Sequence, residues 1–305
     1  MEQIEIIGID HGWSNIKSIS EIFSTAVKEI TTEPGFYEDV LEFEGKYYSI
    51  GGNRLEVQGT KVENDNFYFL TLAGMAKELK RRKKRTATVF LAVGLPLTRF
   101  GAEKQAFIEY LSRKKEISFR YDQVEYHIRL AKVAVFPQCY AAVADKIATF
   151  PRRVLIVDIG SWTIDIMPVI DKKPDASLCV TIPKGLITCM RSINDQSIRQ
   201  LNGEIDELEI QAMILREKSD IPSEYKTIIE TGLKEFANKV FYSIGEYGYN
   251  LKTTPIVFVG GGAAVMKNYG NINQPNVSYN LDVRANAKGY EHLGRIVTGG
   301  ASKCI

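Results

Sequence analysis

IEIIGIDHGWSNIKSIS, residues 4–20, and RVLIVDIGSWTIDIMPVI, residues 153–170, are two versions of one pattern. In each, an apolar strand runs into an aspartate, Asp10 or Asp158, placed two residues before a glycine, Gly12 or Gly160. A second strand follows, carrying Lys17 in the first copy and Asp165 in the second. An unpaired carboxylate is costly in a core, so each aspartate must face a cation or solvated polar groups. Glycine lets the backbone turn sharply and approach a ligand with no Cβ in the way. Ser14 and Asn15, or Ser161 and Thr163, supply short donors beside the exposed amides. One Asp-x-Gly at a strand end is usually a plain β-turn. Two copies at matching strand ends predict two hairpins facing each other as a phosphate clamp, their carboxylates holding the waters of a magnesium ion.

A third glycine cluster extends the pattern. The strand IVFV leads into Gly260, Gly261, Gly262, Ala263 and Ala264. A buried strand entering a glycine turn and a helix start permits close backbone approach to a phosphate or nucleoside, or is simply a structural turn. No Gly-Lys-Ser or Gly-Lys-Thr follows, so this is not a Walker A loop.

The chain has 305 residues, 45% of them hydrophobic, which suits two domain-sized cores. A net charge of +2 gives no global argument for nucleic acid or membrane, and no apolar run approaches a bilayer span. MEQIEIIGID enters a strand directly and does not read as a signal peptide, so a cytoplasmic location is expected. The four cysteines, Cys139, Cys179, Cys189 and Cys304, show no metal-binding spacing, and Cys139 and Cys189 read as small core residues. His11, His127 and His292 are too dispersed for a ligand set.

Along the chain, residues 3–30 read as three strands and 40–51 as a hairpin turning at Glu44-Gly45. Helical spacing over 66–85 ends in the basic run Lys80 to Arg85, read as a solvated helix end. A buried strand over 86–95, an amphipathic helix over 98–111 and two strands over 116–135 follow. Pro137 is expected to open a helix at AAVADKIA. In the second half, a strand near 176–182, helices over 186–201, 205–216 and 223–249, and a last helix over 285–298 complete a repeated plan. The class is α/β: residues 1–150 form one domain, with an insertion over about 33–85 and a returning C-terminal helix over 283–305. Residues 151–282 form a related domain with a helical insertion over about 188–252.

These stretches together resemble the actin superfamily, and within it the ParM/StbA group of plasmid-segregating actin-like ATPases. The resemblance rests on both Asp-x-Gly hairpins, Gly94-Leu95-Pro96-Leu97-Thr98, the strand end before Gln138, Lys184-Gly185, the triple glycine and the tail Ala285 to Tyr290. It spans the whole chain. It implies an actin-like fold with a nucleotide cleft between the domains and, from the group's prototype, a connecting helix. It further implies that Lys17 contacts the β- and γ-phosphates and that Asp10 and Asp158 hold Mg²⁺ through water. Gly12, Trp13, Ser14, Asn15, Gly160, Ser161, Trp162 and Thr163 would cradle phosphate. Lys184 and Gly185 would lie near base or ribose, and Gly260, Gly261, Gly262 and Ala263 would line the nucleotide. Gln138 stands where the prototype has a glutamate; a glutamine can orient the attacking water, as in small GTPases. Trp162 either packs the hairpin or narrows the cleft.

The expected function is a filament that binds and hydrolyses ATP or GTP, polymerises with itself and segregates plasmid DNA through a DNA-binding adaptor, without direct contact to nucleic acid or membrane. Alternatives are an actin-fold small-molecule phosphotransferase, which would need a catalytic aspartate where Gln138 stands, or a nucleotide-dependent scaffold filament with little hydrolysis.

Overall fold

The structure, a computed structural model, describes residues 4–301. The chain forms two compact units, one running to Asp145 and taken up again from Arg284, the other Lys146–Val283.

The first unit contains β1 (Ile4–His11), β2 (Asn15–Lys17), β3 (Ile22–Ser24), β4 (Val27–Ile30), β5 (Val40–Phe43) and β6 (Lys46–Ile50). Then come α1 (Asn66–Arg81), β7 (Thr86–Leu95), α2 (Leu97–Leu111), β8 (Glu116–Tyr121), β9 (Val124–Pro137) and, numbered by its place in the chain, α7 (Ala285–Ala301). Its strands form one sheet in the order β3-β2-β1-β7-β9-β8-β5-β6-β4. β7 lies in the interior of the sheet, parallel to β1 and β9, and its ten residues are an almost unbroken apolar run because both faces are covered. Val89, Leu91 and Val93 pack into a core with Leu72 and Ala76 of α1 and Phe107 of α2. Phe90 and Ala92 point the other way, into a smaller cluster with Ala141 and Tyr290. The β5–β6 hairpin turns at Glu44 and Gly45, both at positive φ, as the Glu-Gly pair predicts.

Three expectations are corrected here. Residues 3–30 hold four short strands rather than three. The basic run is a solvated helix end only in part: α1 stops at Arg81, and Lys80, Arg81, Lys83 and Arg85 are exposed, but Arg82 turns inward. Its guanidinium meets Glu5 of β1 at 2.9 Å, Glu291 of α7 at 3.0 Å and Glu78 of α1 at 3.6 Å, while Lys84 binds Glu5 at 2.5 Å. Burial alone would raise the Glu5 carboxyl, but Lys84 and Arg82 hold it below the usual range. These pairs fasten the returning helix to β1 and α1.

The third correction follows Pro137. No α-helix opens there. Pro137 is the last residue of β9, paired with Leu95, and the Gln138 amide continues the ladder by donating to the Leu95 carbonyl at 3.0 Å. Cys139 then turns at φ +63°, and only two 3₁₀ turns, Ala141–Val143 and Ile147–Thr149, follow. The Leu95 carbonyl at the end of β7 outweighs the helix preference of a short alanine-rich stretch.

The second unit contains β10 (Arg153–Ile159), β11 (Ile164–Ile170), β12 (Lys173–Pro174), β13 (Val180–Ile182), α3 (Leu186–Leu201), α4 (Glu207–Leu215), α5 (Ser223–Glu246), β14 (Ile256–Val259), α6 (Ala263–Tyr269) and β15 (Val277–Tyr279). Its sheet runs β12-β11-β10-β14-β15, with β13 also paired to β11. The strand expected near 176–182 is shortened to β13, because the Asp175 side chain accepts from the Ser177 amide and starts a 3₁₀ turn instead. α3 ends at Asn202, in the left-handed region at φ 54°. Ile229, Leu233, Val240 and Ile244 of α5 are buried against Ile193 of α3 and Val265 of α6, as their spacing predicts. Cys139 and Cys189 are buried, as expected of core residues; Cys304 lies outside the described residues.

Candidate functional site

Both hairpins close with the same register. Asp10 pairs with Lys17 and His11 with Ile16, leaving residues 12–15 to reverse the chain. Asp158 pairs with Asp165 and Ile159 with Ile164, leaving 160–163. In both turns the backbone carbonyls are tied back to the protein. Thr25 donates its hydroxyl to the Gly12 carbonyl at 2.7 Å and its amide to the Ser14 carbonyl at 3.0 Å. In the second turn the first amides of α3 do this: Leu186 to Gly160, Ile187 to Ser161, and Gly185 to Trp162, at 3.0, 2.8 and 3.0 Å. A trans peptide sets its N–H opposite its C=O. The amides of Trp13, Ser161, Trp162 and Thr163 therefore point away from those partners, the arrangement of an anion-binding nest.

In the first turn, the buried Asp10 carboxylate receives Lys17 at 3.2 Å on one oxygen and the Gln138 amide at 3.0 Å on the other. Burial would raise this carboxyl, yet Lys17 and Lys61 together with the Lys17 and Gln138 hydrogen bonds hold it below its usual range. A carboxylate only accepts, so Gln138 presents its NH₂ to Asp10 and its carbonyl oxygen elsewhere. The Ser14 hydroxyl is buried and has no hydrogen-bond partner among the described residues. His11 is fully buried; burial first, then the field of Lys61, lowers its pKa to about 3. It meets Thr71 at 2.8 Å, and because the Thr71 hydroxyl donates to the Phe67 carbonyl, His11 is the donor through Nε2. Trp13 packs edge-on against Phe67, with ring centroids 5.2 Å apart.

In the second turn, Asp165 accepts from Thr163 at 3.0 Å and from Thr181 at 2.5 Å. Trp162 packs against the core of its own unit, with the Arg191 guanidinium 5.1 Å from its ring. The glycine cluster serves this turn closely. A Cβ on Gly260 would stand 2.2 Å from an Asp158 oxygen, and one on Gly262 2.1 Å from Ile159. Gly261 meets nothing nearer than Leu186 at 3.6 Å. Ala263 is buried at the start of α6. Gly185 abuts the Gly160 and Ser161 carbonyls, whereas Lys184 is exposed and lines a groove with Thr188, Phe236, Lys239 and Tyr242. The structure thus gathers Gly12 to Asn15, Lys17, Asp10 and Gln138 in one unit. It gathers Asp158, Gly160 to Thr163, Gly185 and Gly260 to Gly262 in the other.

Sequence reasoning missed two residues of the first turn, Thr25 and Lys61. Lys61 is buried beside the turn, its ammonium 6.0 Å from the Phe67 ring centroid, and burial lowers its pKa to about 8 against the opposing pull of Asp10. Neither carried a motif: Thr25 lies within the stretch read as strands, and Lys61 follows the glycine-containing polar stretch 51–60.

Comparison with known proteins agrees with this geometry. The N-terminal domain of actin like proteins matches residues 8–140, and the C-terminal domain of the archaeal, MreB-like actin homologue matches 156–269. No curated protein sequence matches the chain. Among solved structures, an archaeal actin homologue superposes with a TM-score of 0.78 at 18% identity, covering 97% of this chain and 100% of its own. ParM of Bacillus thuringiensis with AMPPNP gives 0.73 at 13% over 97% and 99%. The Alp12 filament subunit gives 0.70 at 17% over 98% and 99%. With one family domain over each half and a ParM-like fold throughout, the chain belongs to the actin-like proteins.

Proposed function

We propose that this actin-like protein binds a nucleoside triphosphate with Mg²⁺ at its two Asp-x-Gly turns, hydrolyses it, and polymerises with itself in a nucleotide-dependent manner. The observation that carries this reading is the matched pair of turns, each with its carbonyls tied back and its amides turned out beside an aspartate. The buried Ser14 hydroxyl, without a hydrogen-bond partner among the described residues, fits a phosphate. Lys17 would contact the β- and γ-phosphates, Lys184 and Gly185 would approach base or ribose, and Gly261 would lie against the nucleotide. Asp10 and Asp158 would hold Mg²⁺ through water. Bound Mg²⁺ would supply charge neutralisation for the phosphates.

Gln138 gives the hydrolytic step its positioning group. With its NH₂ fixed on Asp10, its carbonyl oxygen is the end able to hold an attacking water. Neighbours determined with AMPPNP and with ADP support an adenine nucleotide as the first one to test, and the Alp12 filament supports self-assembly. Segregation of DNA through an adaptor in the cytoplasm is the cellular role this reading favours. The test is electron microscopy and light scattering of the purified chain with ATP, GTP or no nucleotide. Filaments that need a triphosphate and decay as it is spent are expected. A strictly monomeric chain at high concentration with either triphosphate would point to the phosphotransferase.

A further inference from the structure

Lys61 is the only lysine or arginine that is buried among the described residues, at 8% exposure. Placing an ammonium in such a site is costly unless a counter-ion is close. Among the described residues no carboxylate lies within ion-pair distance of it. Its ammonium lies over the face of Phe67, 6.0 Å from the ring centroid. Asp10 and Glu103 act on it through space, but Asp10 is already engaged by Lys17 and Gln138, and Glu103 by Arg99. Phe67 in turn holds Trp13 and His11, the residues on either side of Gly12. Lys61 therefore reaches the first turn from the loop between β6 and α1, and the Ser14 hydroxyl of that turn is buried without a partner among the described residues. Two buried polar groups, one cationic and one a hydroxyl, border a nest of outward amides.

We propose that Lys61 is a second phosphate-binding cation whose counter-ion is the terminal phosphate of a nucleoside triphosphate, so that it discriminates triphosphate from diphosphate. This rests on the nucleotide reading above. Two arguments place it at the terminal phosphate. Gln138 and Lys61 both act on Asp10, so Lys61 belongs to the end of the site where water attacks. Lys17 is charge-matched by Asp10 within the protein, so the added charge of a third phosphate calls for another cation. The lowered Lys61 pKa, about 8, is what an amine kept from its counter-ion should show. A bound phosphate would raise it again, so binding above pH 8 should take up a proton.

The experiment is calorimetric titration of the full chain with Mg²⁺-AMPPNP and Mg²⁺-ADP, for wild type and Lys61→Met. Loss of a charge-assisted contact should weaken AMPPNP by about ten- to a hundredfold and leave ADP within about twofold. Met is close in volume and removes a desolvated charge, so the melting temperature should not fall. In wild type at pH 8.5, titrations in buffers of different ionisation enthalpy should show proton uptake with AMPPNP. This arm needs no variant. Equal affinities of Lys61→Met and wild type for AMPPNP, an equal loss for both nucleotides, or no proton uptake would each overturn the assignment while leaving nucleotide binding intact. A wild type that binds neither nucleotide would overturn the nucleotide reading, and this proposal with it.

Discussion

The two hairpins share a turn length and a register, yet the residue opposite the aspartate is a cation in one and an anion in the other: Lys17 faces Asp10, Asp165 faces Asp158. The residue after each aspartate also differs, a buried histidine in the first and a buried isoleucine in the second. The first turn carries its own positive charge in Lys17 and Lys61. The second turn carries none in register and relies on amides aimed by α3. The same backbone device therefore serves two electrostatic tasks. On the proposed reading, the first would neutralise phosphate charge, and the second would supply direction and a carboxylate for a hydrated cation.

The sharpest way to break this division is at the second turn. Asp158→Ala should lower phosphate release by about a thousandfold, on the scale of losing a metal-positioning carboxylate. Asp165→Ala, whose carboxylate is held by two threonine hydroxyls, should lower it less than about tenfold. Equal losses would mean that the acid pair acts as a unit and that the register partner matters as much as the strand-end aspartate. Wild-type turnover in Asp158→Ala would place the metal elsewhere.

Gln138 tests the first turn. Gln138→Ala should reduce hydrolysis by about one to three orders of magnitude, with AMPPNP affinity unchanged within about twofold and longer-lived filaments. Because the side chain also donates to Asp10, a combined loss of affinity would show that it serves to hold that carboxylate. Gln138→Glu should separate the two roles, since a carboxylate cannot donate to Asp10.

The glycines that serve the second turn come next. Gly262→Ala should cost about 3 kcal/mol in chemical denaturation, because its Cβ would overlap Ile159. Gly261→Ala should cost under about 1 kcal/mol. If Gly261→Ala is stable but binds AMPPNP poorly, that glycine, unlike its neighbours, is kept open for ligand. Two of the three glycines thus answer to packing against Asp158 and Ile159.

This mixture explains what was legible in the sequence. The hairpins, β7, α3 and the α5 stripe were readable because each is a local pattern: alternation, an apolar run, a 3.6-residue period, a turn pair. The strand that ran on through Pro137 was not, because an acceptor on Leu95, 43 positions earlier by residue number, decided it. Arg82 read as solvated for the same reason: Glu5 and Glu291 come to it from the far ends of the chain. Lys61 lay in a polar stretch without period, and its burial follows from packing on Phe67. The residues that build the turns were visible; those that other elements bring to them were not.

The smallest expected effect isolates the difference between His11 and Ile159. His11 is neutral in the folded chain, with its pKa lowered from 6.5 to about 3 by burial and by Lys61. In the unfolded chain it titrates near 6.5. Between these values the unfolded state binds the extra proton, so stability is fully present above pH 6.5 and is lost as pH falls toward 3. The slope from this one site cannot exceed about 1.4 kcal/mol per pH unit. Asp10 adds its own loss only lower, as pH falls below the ordinary carboxyl range. His11→Ile, which copies the second hairpin, should therefore flatten denaturation midpoints between pH 6.5 and about 4.5, where Asp10 is still ionised in both states. Thr71 keeps its bond to Phe67 in that variant, so no buried donor is orphaned. An unchanged pH slope would show that His11 gains its proton on opening of the turn alone, and that the first hairpin melts locally before the unit around it.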